Sequence, residues 1–177
     1  ASAQDTTRIS ILFLGDVMQH DSQIKAAYDL SAKQYDYTSC FQFVKPYIAS
    51  ADLAIGNLEV TLAGPPYKGY PQFSAPDQLA LTLKDAGMDV LVTANNHCLD
   101  RGRKGLERTI LMLDSLDIIH TGTFRDTVER MNDYPMLFEK NGFSFALLNY
   151  TYGTNGIPVT KPNVVNTIDT AVIRKDI

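Results

Sequence analysis

Polar side chains that can bind metals or transfer protons follow three apolar segments of this sequence. Asp16, Glu59 and the pair Asn96-His97 each stand where such a segment ends. Mixed oxygen and imidazole donors suit Mn²⁺, Fe or Zn²⁺ better than soft metals. Two such ions sharing carboxylates would favour phosphoester hydrolysis, because they generate hydroxide and stabilise the leaving oxygen.

Each of these residues also has a purely structural interpretation. Asp16 follows Gly15 and could start a turn or cap the next helix. Asn96 could occupy a left-handed turn conformation, with His97 satisfied by neighbouring groups. Glu59 is harder to explain structurally, because carboxylates are seldom buried without a partner. The four residues together favour a functional site.

Charged residues around the Asn-His pair allow further alternatives. Asp100 is predicted to be the N-cap of the helix that follows it. Arg101, Arg103 and Lys104 lie near that helix N-terminus, where the macrodipole disfavours cations. They are either solvated surface charge or part of a site for an anionic ligand.

Two other histidines are separate cases. His20 follows Asp16 by four positions, in a loop or first helical turn, and its role stays open. His120 lies in the short segment 117–120, which is predicted to be a strand, and is interpreted as structural.

The candidate residues depend on strands that hold them at one sheet edge. Near-continuous apolar runs predict strands buried on both faces, at residues 8–14, 52–58, 89–94 and 143–148. Helical periodicity predicts helices at 22–30, 39–50 (limited or kinked by Pro46), 76–86 and 103–117. Lys140-Asn141-Gly142 indicates a hairpin turn. The alternation predicts a layered α/β fold with mixed sheets and some antiparallel pairing near the hairpin. Ligands of open α/β sheets bind at the carboxyl ends of the strands.

Composition limits the class of protein. The chain has 177 residues, of which 45% are hydrophobic and 20% charged, as expected for one globular domain. Its net charge of −4 argues against a nucleic-acid partner, because phosphate binding needs clustered cations. No apolar run approaches the roughly 20 residues of a membrane span. Cys40 and Cys98 are predicted to be buried thiols.

The two termini suggest an exported protein whose domain continues beyond the last residue. Ala1-Ser2-Ala3 fits the pattern before a signal-peptidase cut, which predicts export and removal of a signal peptide. Residues 1–7 are then a tail, and 8–177 form a single domain. A helix begins near residues 166–169, and the chain stops about two turns later, so we expect this domain to be truncated at its C-terminal end.

Several longer motifs resemble one protein family. The sequence is similar to the bacterial capsule synthesis protein family named CapA, which includes poly-gamma-glutamate synthesis proteins. The matching motifs are GDVM (15–18), ADLAIGNLEVTL (51–62), AGMDVLVTANNHCLDRG (86–102), GLERTILML (105–113) and NYTYGTNG (149–156).

The resemblance implies a fold and a set of roles. The family looks like a branch of the calcineurin-like metallophosphoesterases, a two-sheet sandwich flanked by helices, of which this chain would form the N-terminal part. By this resemblance Asp16 and Glu59 would be metal ligands, Asn96 would bridge metal and phosphate, and His97 would be the catalytic acid. His20 is a further candidate ligand of the implied divalent ions. Candidate substrate-binding residues are Asn57, Asp100, Arg101 and Tyr150.

The sequence also departs from the superfamily pattern. Residues 57–59, Asn-Leu-Glu, replace the GDxxD metal motif of phosphoesterases, so the ligand set is expected to differ. Arg101 stands where the family often has an aromatic residue. The later histidine-containing motifs of the family lie beyond Ile177.

Two functions are therefore expected from the sequence. The first is a metal-dependent, phosphoesterase-like hydrolase that acts on an anionic capsule polymer or a phosphorylated substrate. The second is a non-catalytic protein that binds, exports or anchors the anionic polymer. Either would work with a membrane-associated capsule assembly machinery.

Overall fold

The computed structural model describes residues 6–177, so the predicted signal-peptidase site at Ala1-Ser2-Ala3 lies outside the described residues. In chain order the strands are β1 (Ile11–Val17), β2 (Tyr28–Asp29), β3 (Gln34–Tyr35), β4 (Leu53–Leu58), β5 (Val90–Val92), β6 (Ile119–Thr121), β7 (Thr123–Phe124), β8 (Met136–Lys140), β9 (Phe143–Leu147) and β10 (Val164–Val165). The helices are α1 (Asp21–Ala27), α2 (Thr38–Phe41), α3 (Lys45–Ser50), α4 (Gln78–Ala86), α5 (Gly102–Ser115), α6 (Thr127–Asp133) and α7 (Thr170–Asp176).

A four-stranded parallel sheet in the order β1-β4-β5-β6 positions the candidate residues. Three predicted apolar segments form β1, β4 and β5, and the short predicted strand near His120 forms β6. Because all four strands run in one direction, their carboxyl ends share one edge of the sheet.

The two faces of the parallel sheet are covered differently. On one face, helical side chains such as Ile48, Leu83 and Leu113 pack in the same cluster as Ala54 and Leu91 of the sheet. On the other face, Met136, Phe138 and Leu147 of the β8-β9 hairpin pack against a cluster of Leu53, Ile55 and Val90. The α/β fold class is confirmed, with a small second sheet lying against the first.

The prediction that residues 143–148 form a strand buried on both faces is wrong. Strand β9 pairs only with β8, in an antiparallel hairpin whose turn contains Asn141 (φ 51°) and Gly142 (φ 78°). Most of β9 is exposed or half-buried. Its apolar residues cover one face of the parallel sheet and stack on β8, as in the Phe138–Phe145 ring pair. The hairpin turn itself is confirmed.

Helix boundaries differ from the predictions where local chemistry intervenes. The predicted helix 39–50 is divided into α2 and α3, with Pro46 in the first turn of α3, where its missing N–H costs nothing. Helix α1 ends at Ala27, and the next two residues pair with β3. Helix α4 ends at Ala86 and is capped by Gly87, whose φ of 103° only glycine adopts without strain.

The described residues give three further results. Helix α7 confirms the helix predicted near the C-terminus, and Asp169 caps it by accepting from two backbone N–H groups. Cys98 is buried as predicted, but Cys40 is exposed, so that part of the prediction is wrong. Within residues 6–177, no helix has the length and apolar character that crossing a membrane requires.

Candidate functional site

A bulge in β1 sets the position of Asp16 at the sheet edge. Leu14 pairs with Gly56 of β4 and Asp16 pairs with the next residue, Asn57, so Gly15 is an extra residue in β1. An inserted residue changes the face to which the following side chains point. The bulge therefore turns Asp16 away from the face where Leu12 and Leu14 pack on the core.

The side-chain amide of Asn57 joins the two carboxylates of the site. Asn57 Nδ2 donates to Asp16 Oδ1 at 2.9 Å and lies 3.1 Å from Glu59 Oε2. Glu59 is 7% exposed, whereas Asp16 is exposed to solvent. The carboxyl ends of β1 and β4 thus bring two oxygen donors together around one amide.

Asn95 links the end of β5 to this pair. Its Nδ2 donates to Asn57 Oδ1 at 3.1 Å and to the Leu58 carbonyl at 2.9 Å, and its Oδ1 accepts from the His97 backbone at 3.0 Å. The buried Asn95 side chain therefore fixes the turn that carries His97. In the sequence, the only indication of this role is that Asn95 directly follows the apolar segment 89–94.

His97 lies between two acidic side chains. Its Nδ1 is 2.7 Å from Asp100 Oδ2, and its Nε2 is 3.9 Å from Glu59 Oε1. A carboxylate accepts hydrogen bonds but does not donate them, so we assign the proton of Nδ1 to the bond with Asp100. The Phe73 ring packs edge-on against the imidazole at 4.7 Å between centroids. Nε2 is the ring nitrogen that faces Glu59.

The prediction that Asp100 caps the following helix is wrong. Arg101 occupies the N-cap position of α5, and no side chain there accepts from the first helical turn. The Asp100 carboxylate accepts instead from the Phe73 backbone N–H at 2.8 Å and from His97. Asp100 therefore orients the imidazole.

Burial and mutual repulsion alter the acidity of these carboxyl groups. Burial and the adjacent Asp16 raise the pKa of Glu59 to about 7, while His97 opposes the rise. Burial also raises the pKa of Asp100. Both effects follow from bringing several acids into a partly desolvated position.

The raised pKa of Glu59 predicts a pH dependence of stability. Its ordinary pKa is 4.5, so between about pH 4.5 and 7 the folded state holds a proton that the unfolded state releases. The resulting stabilisation is complete below pH 4.5 and is lost as the pH rises through about 7. From about pH 5 to about pH 8, we expect the unfolding free energy of the wild type to fall on the order of 1 to 3 kcal/mol further than that of Glu59→Gln.

Urea unfolding in the presence of a chelator measures this difference. Glu139→Gln, at an exposed glutamate, is the matched control, and its unfolding free energy should change with pH as that of the wild type does. Parallel pH profiles for wild type and Glu59→Gln would contradict the prediction.

The remaining predicted site residues make no described hydrogen bond to Asp16, Glu59 or His97. The Asn96 side chain is directed to Asn155, at 3.4 Å between Nδ2 and Oδ1. His20 precedes α1 and is exposed, with its ring 6.1 Å from Tyr70 and 6.4 Å from Phe73. It makes no described contact with Asp16 or Glu59.

Arg101 and Tyr150 are engaged elsewhere. The Arg101 guanidinium donates to the Pro66 carbonyl at 2.8 Å. The Tyr150 hydroxyl donates to Asp176 at 2.7 Å, where Arg130 also binds the same oxygen at 2.6 Å. Tyr150 therefore helps hold α7 to the domain, and no described contact connects it to His97.

Two asparagines of the segment 149–156 were missed as site residues. Asn149 Oδ1 accepts from the Ala94 backbone N–H at 2.7 Å, which ties this segment to the end of β5. Asn155 then lies beside Asn96 and 3.5 Å from His97 Nδ1. The motif NYTYGTNG could have suggested them, but only contact with the β5 end shows what each asparagine does.

The residues fit a metal site in part. Asp16, Glu59 and His97 offer carboxylate and imidazole donors of the expected type, and Asp100 on Nδ1 is the partner that metal-binding histidines commonly have. Yet within residues 6–177 no three or more His, Cys, Asp or Glu side chains are arranged closely enough to surround an ion.

Comparison with known proteins decides the family. The family model described as bacterial capsule synthesis protein PGA_cap matches residues 10–175. The chain belongs to this family. The match covers the strand ends that carry Asp16, Glu59 and His97 as well as the segment of Asn155.

Two curated proteins are similar to most of this chain. The capsule biosynthesis protein CapA of Bacillus anthracis is 27% identical over 157 residues, which are 84% of this chain and 36% of that protein. The PGA biosynthesis protein CapA of Bacillus subtilis (strain 168) is 28% identical over 151 residues, 81% of this chain and 37% of its own length. This PGA_cap chain thus aligns with little more than a third of each relative.

Proposed function

We propose that this chain contributes the site of a metal-dependent, phosphoesterase-like hydrolase in capsule or poly-gamma-glutamate biosynthesis. The observation that carries the proposal is the approach of His97 Nε2 to Glu59 Oε1, at 3.9 Å, inside a network that joins three strand ends. A proton donor and acidic ligands must share one position for this chemistry.

The protein groups have distinct parts in the proposed reaction. Asp16 and Glu59 would hold a divalent ion, one of two Mn, Fe or Zn ions in the complete site. When bound, the metal supplies Lewis-acid activation of water and of the phosphoryl group. When both ring nitrogens are protonated, His97 donates the Nε2 proton to the leaving oxygen and keeps the Nδ1 proton in its bond with Asp100, which holds the ring in the required orientation. The Asn96 amide binds a phosphoryl oxygen.

The proposal extends to partners and location. The substrate is an anionic capsule polymer or a phosphorylated precursor, met at a membrane-associated assembly machinery. Export with signal-peptide removal is supported by Ala1-Ser2-Ala3 alone.

Substitution of Asp16 tests the metal-dependent function. We expect Asp16→Asn to weaken Mn²⁺ binding about tenfold or more, because it removes a charged ligand, and to reduce hydrolysis of bis(p-nitrophenyl) phosphate with it. Isothermal titration and a colorimetric assay measure the two effects. Asp117→Asn, at an exposed aspartate that pairs with Lys84, is the control and should change neither.

A second candidate function is polymer binding without catalysis. Polymer binding needs no bound ion, so it would survive loss of the Asp16 carboxylate. Equal Mn²⁺ affinity of wild type and Asp16→Asn, with retention of poly-γ-glutamate by both, would support binding and contradict the hydrolase.

A further inference from the structure

A cavity of about 470 Å³ opens beside His97. Its lining includes Tyr70, Gln72, Asn96, Asn155 and Ile157 together with His97. Three of these side chains are carboxamides, and among the described residues that line the cavity none is Lys or Arg. Carboxamides both donate and accept hydrogen bonds, so the lining suits an uncharged polar group better than a free carboxylate.

Asn155 enters this cavity from a turn that does not need its side chain. The turn is closed by the Ile157 N–H donating to the Thr154 carbonyl at 2.9 Å, and by the Thr154 hydroxyl donating to the Ile157 carbonyl at 2.5 Å. Asn155 itself has a left-handed φ of 51° and is exposed. Among residues 6–177 its carboxamide makes only the long contacts with Asn96 and His97, at 3.4 and 3.5 Å. Most of its hydrogen-bonding capacity is therefore open to a ligand.

A second asparagine keeps this turn in place. Asn149 is tied to the Ala94 backbone in both directions, by its Oδ1 at 2.7 Å and its Nδ2 at 3.3 Å. Since Ala94 lies shortly before Asn96 and His97, the same contact sets the distance between Asn155 and these two residues. Asn149 is the positioning residue of the pair, and Asn155 is the one that faces the cavity.

We propose that Asn155 is a specificity-determining residue. With Asn96 and Gln72 it binds a secondary amide of the substrate, next to the phosphoester bond whose leaving oxygen is protonated by His97. The proposal rests on the proposed function and names the recognised group. In a secondary amide the N–H donates and the C=O accepts, which complements two neighbouring carboxamides. The charged groups of an anionic polymer would point out of this subsite.

The subsite can be tested without turnover by measuring the binding of a γ-linked glutamate tetramer whose free α-carboxyl groups are converted to methylamides. We expect Asn155→Gly to weaken its Kd about three- to tenfold, the effect of losing one or two hydrogen bonds. Glycine adopts the left-handed conformation freely, so the turn is retained. Asn141→Gly, at another left-handed asparagine (φ 51°) in the β8-β9 turn, is the matched control and should leave the Kd unchanged.

Three results would overturn the subsite. They are no binding of the tetramer by wild type, equal affinity of wild type and Asn155→Gly, and equal loss in Asn141→Gly. Tighter binding of a neutral tetrasaccharide than of the tetramer would also overturn amide recognition.

A catalytic variant separates this proposal from the proposed function. Asp16→Asn, which lies outside the lining of this cavity, should bind the tetramer within about twofold of wild type while losing hydrolysis of a phosphodiester. Retained hydrolysis in Asp16→Asn would contradict the hydrolase alone, and normal tetramer binding by Asn155→Gly would contradict the subsite alone.

Discussion

Replacement of His97 by alanine should lower kcat for hydrolysis of an alkyl phosphodiester by about 10² to 10⁴, the range that general acid catalysis contributes. The leaving alkoxide needs a proton, and Nε2 is the ring nitrogen on the side of Glu59. With p-nitrophenol as the leaving group the loss should be much smaller, because that group leaves without protonation. The dependence on leaving group separates lost acid catalysis from general damage to the site.

His120 provides the control for this substitution. It is the other largely buried histidine, with its Nε2 3.0 Å from Asp114, and it lies at β6 away from the network of Glu59 and Asp100. His120→Ala should leave kcat for both substrates unchanged. A His97→Ala loss that is equal for alkyl and nitrophenyl substrates would contradict the role of acid.

Gly122→Ala should destabilise the protein by roughly 3 kcal/mol or more. A Cβ at this position would lie 2.1 Å from Asn149 Oδ1 and 2.5 Å from the Ala94 backbone nitrogen, closer than atoms can approach. Overpacking of this kind costs about 1 to 3 kcal/mol, and a side chain at the observed φ of 115° adds about 1 to 3 more. Urea unfolding followed by circular dichroism measures the change.

The clash also falls on the contact that places Asn155 beside His97. Gly122→Ala is therefore expected to lose tetramer binding as well as stability. Gly142→Ala is the control, since Gly142 has a φ of 78° but no atom within 4 Å of the added Cβ. It should lose only about 1 to 2 kcal/mol, the cost of a left-handed backbone conformation for alanine. Equal unfolding free energies of the two variants would show that packing at Gly122 has no effect.

The parallel sheet was predictable because its information is local. Strands β4 and β5 are buried on both faces, so nearly every residue is apolar and the run is visible in sequence. The same signal misled at residues 143–148, where the apolar residues belong to a hairpin lying over a sheet. A run of apolar residues indicates that a segment is buried, but it does not indicate which other segment covers it.

The sequence by itself determined which residue types end each strand, and through its motifs it determined the family. It could not determine that Asn57 and Asn95 connect three strand ends, because those hydrogen bonds join residues 38 and 41 positions apart. From the sequence alone, Asp100 was predicted to be the N-cap of the following helix, because the helix N-terminus was the nearest group that could pair with its carboxylate. Only the tertiary structure brought the Phe73 backbone and the imidazole to Asp100, placed Asn155 over the cavity and left Tyr150 with Asp176. Side-chain partners of this kind are set by how distant segments pack, and packing is a property of the whole chain.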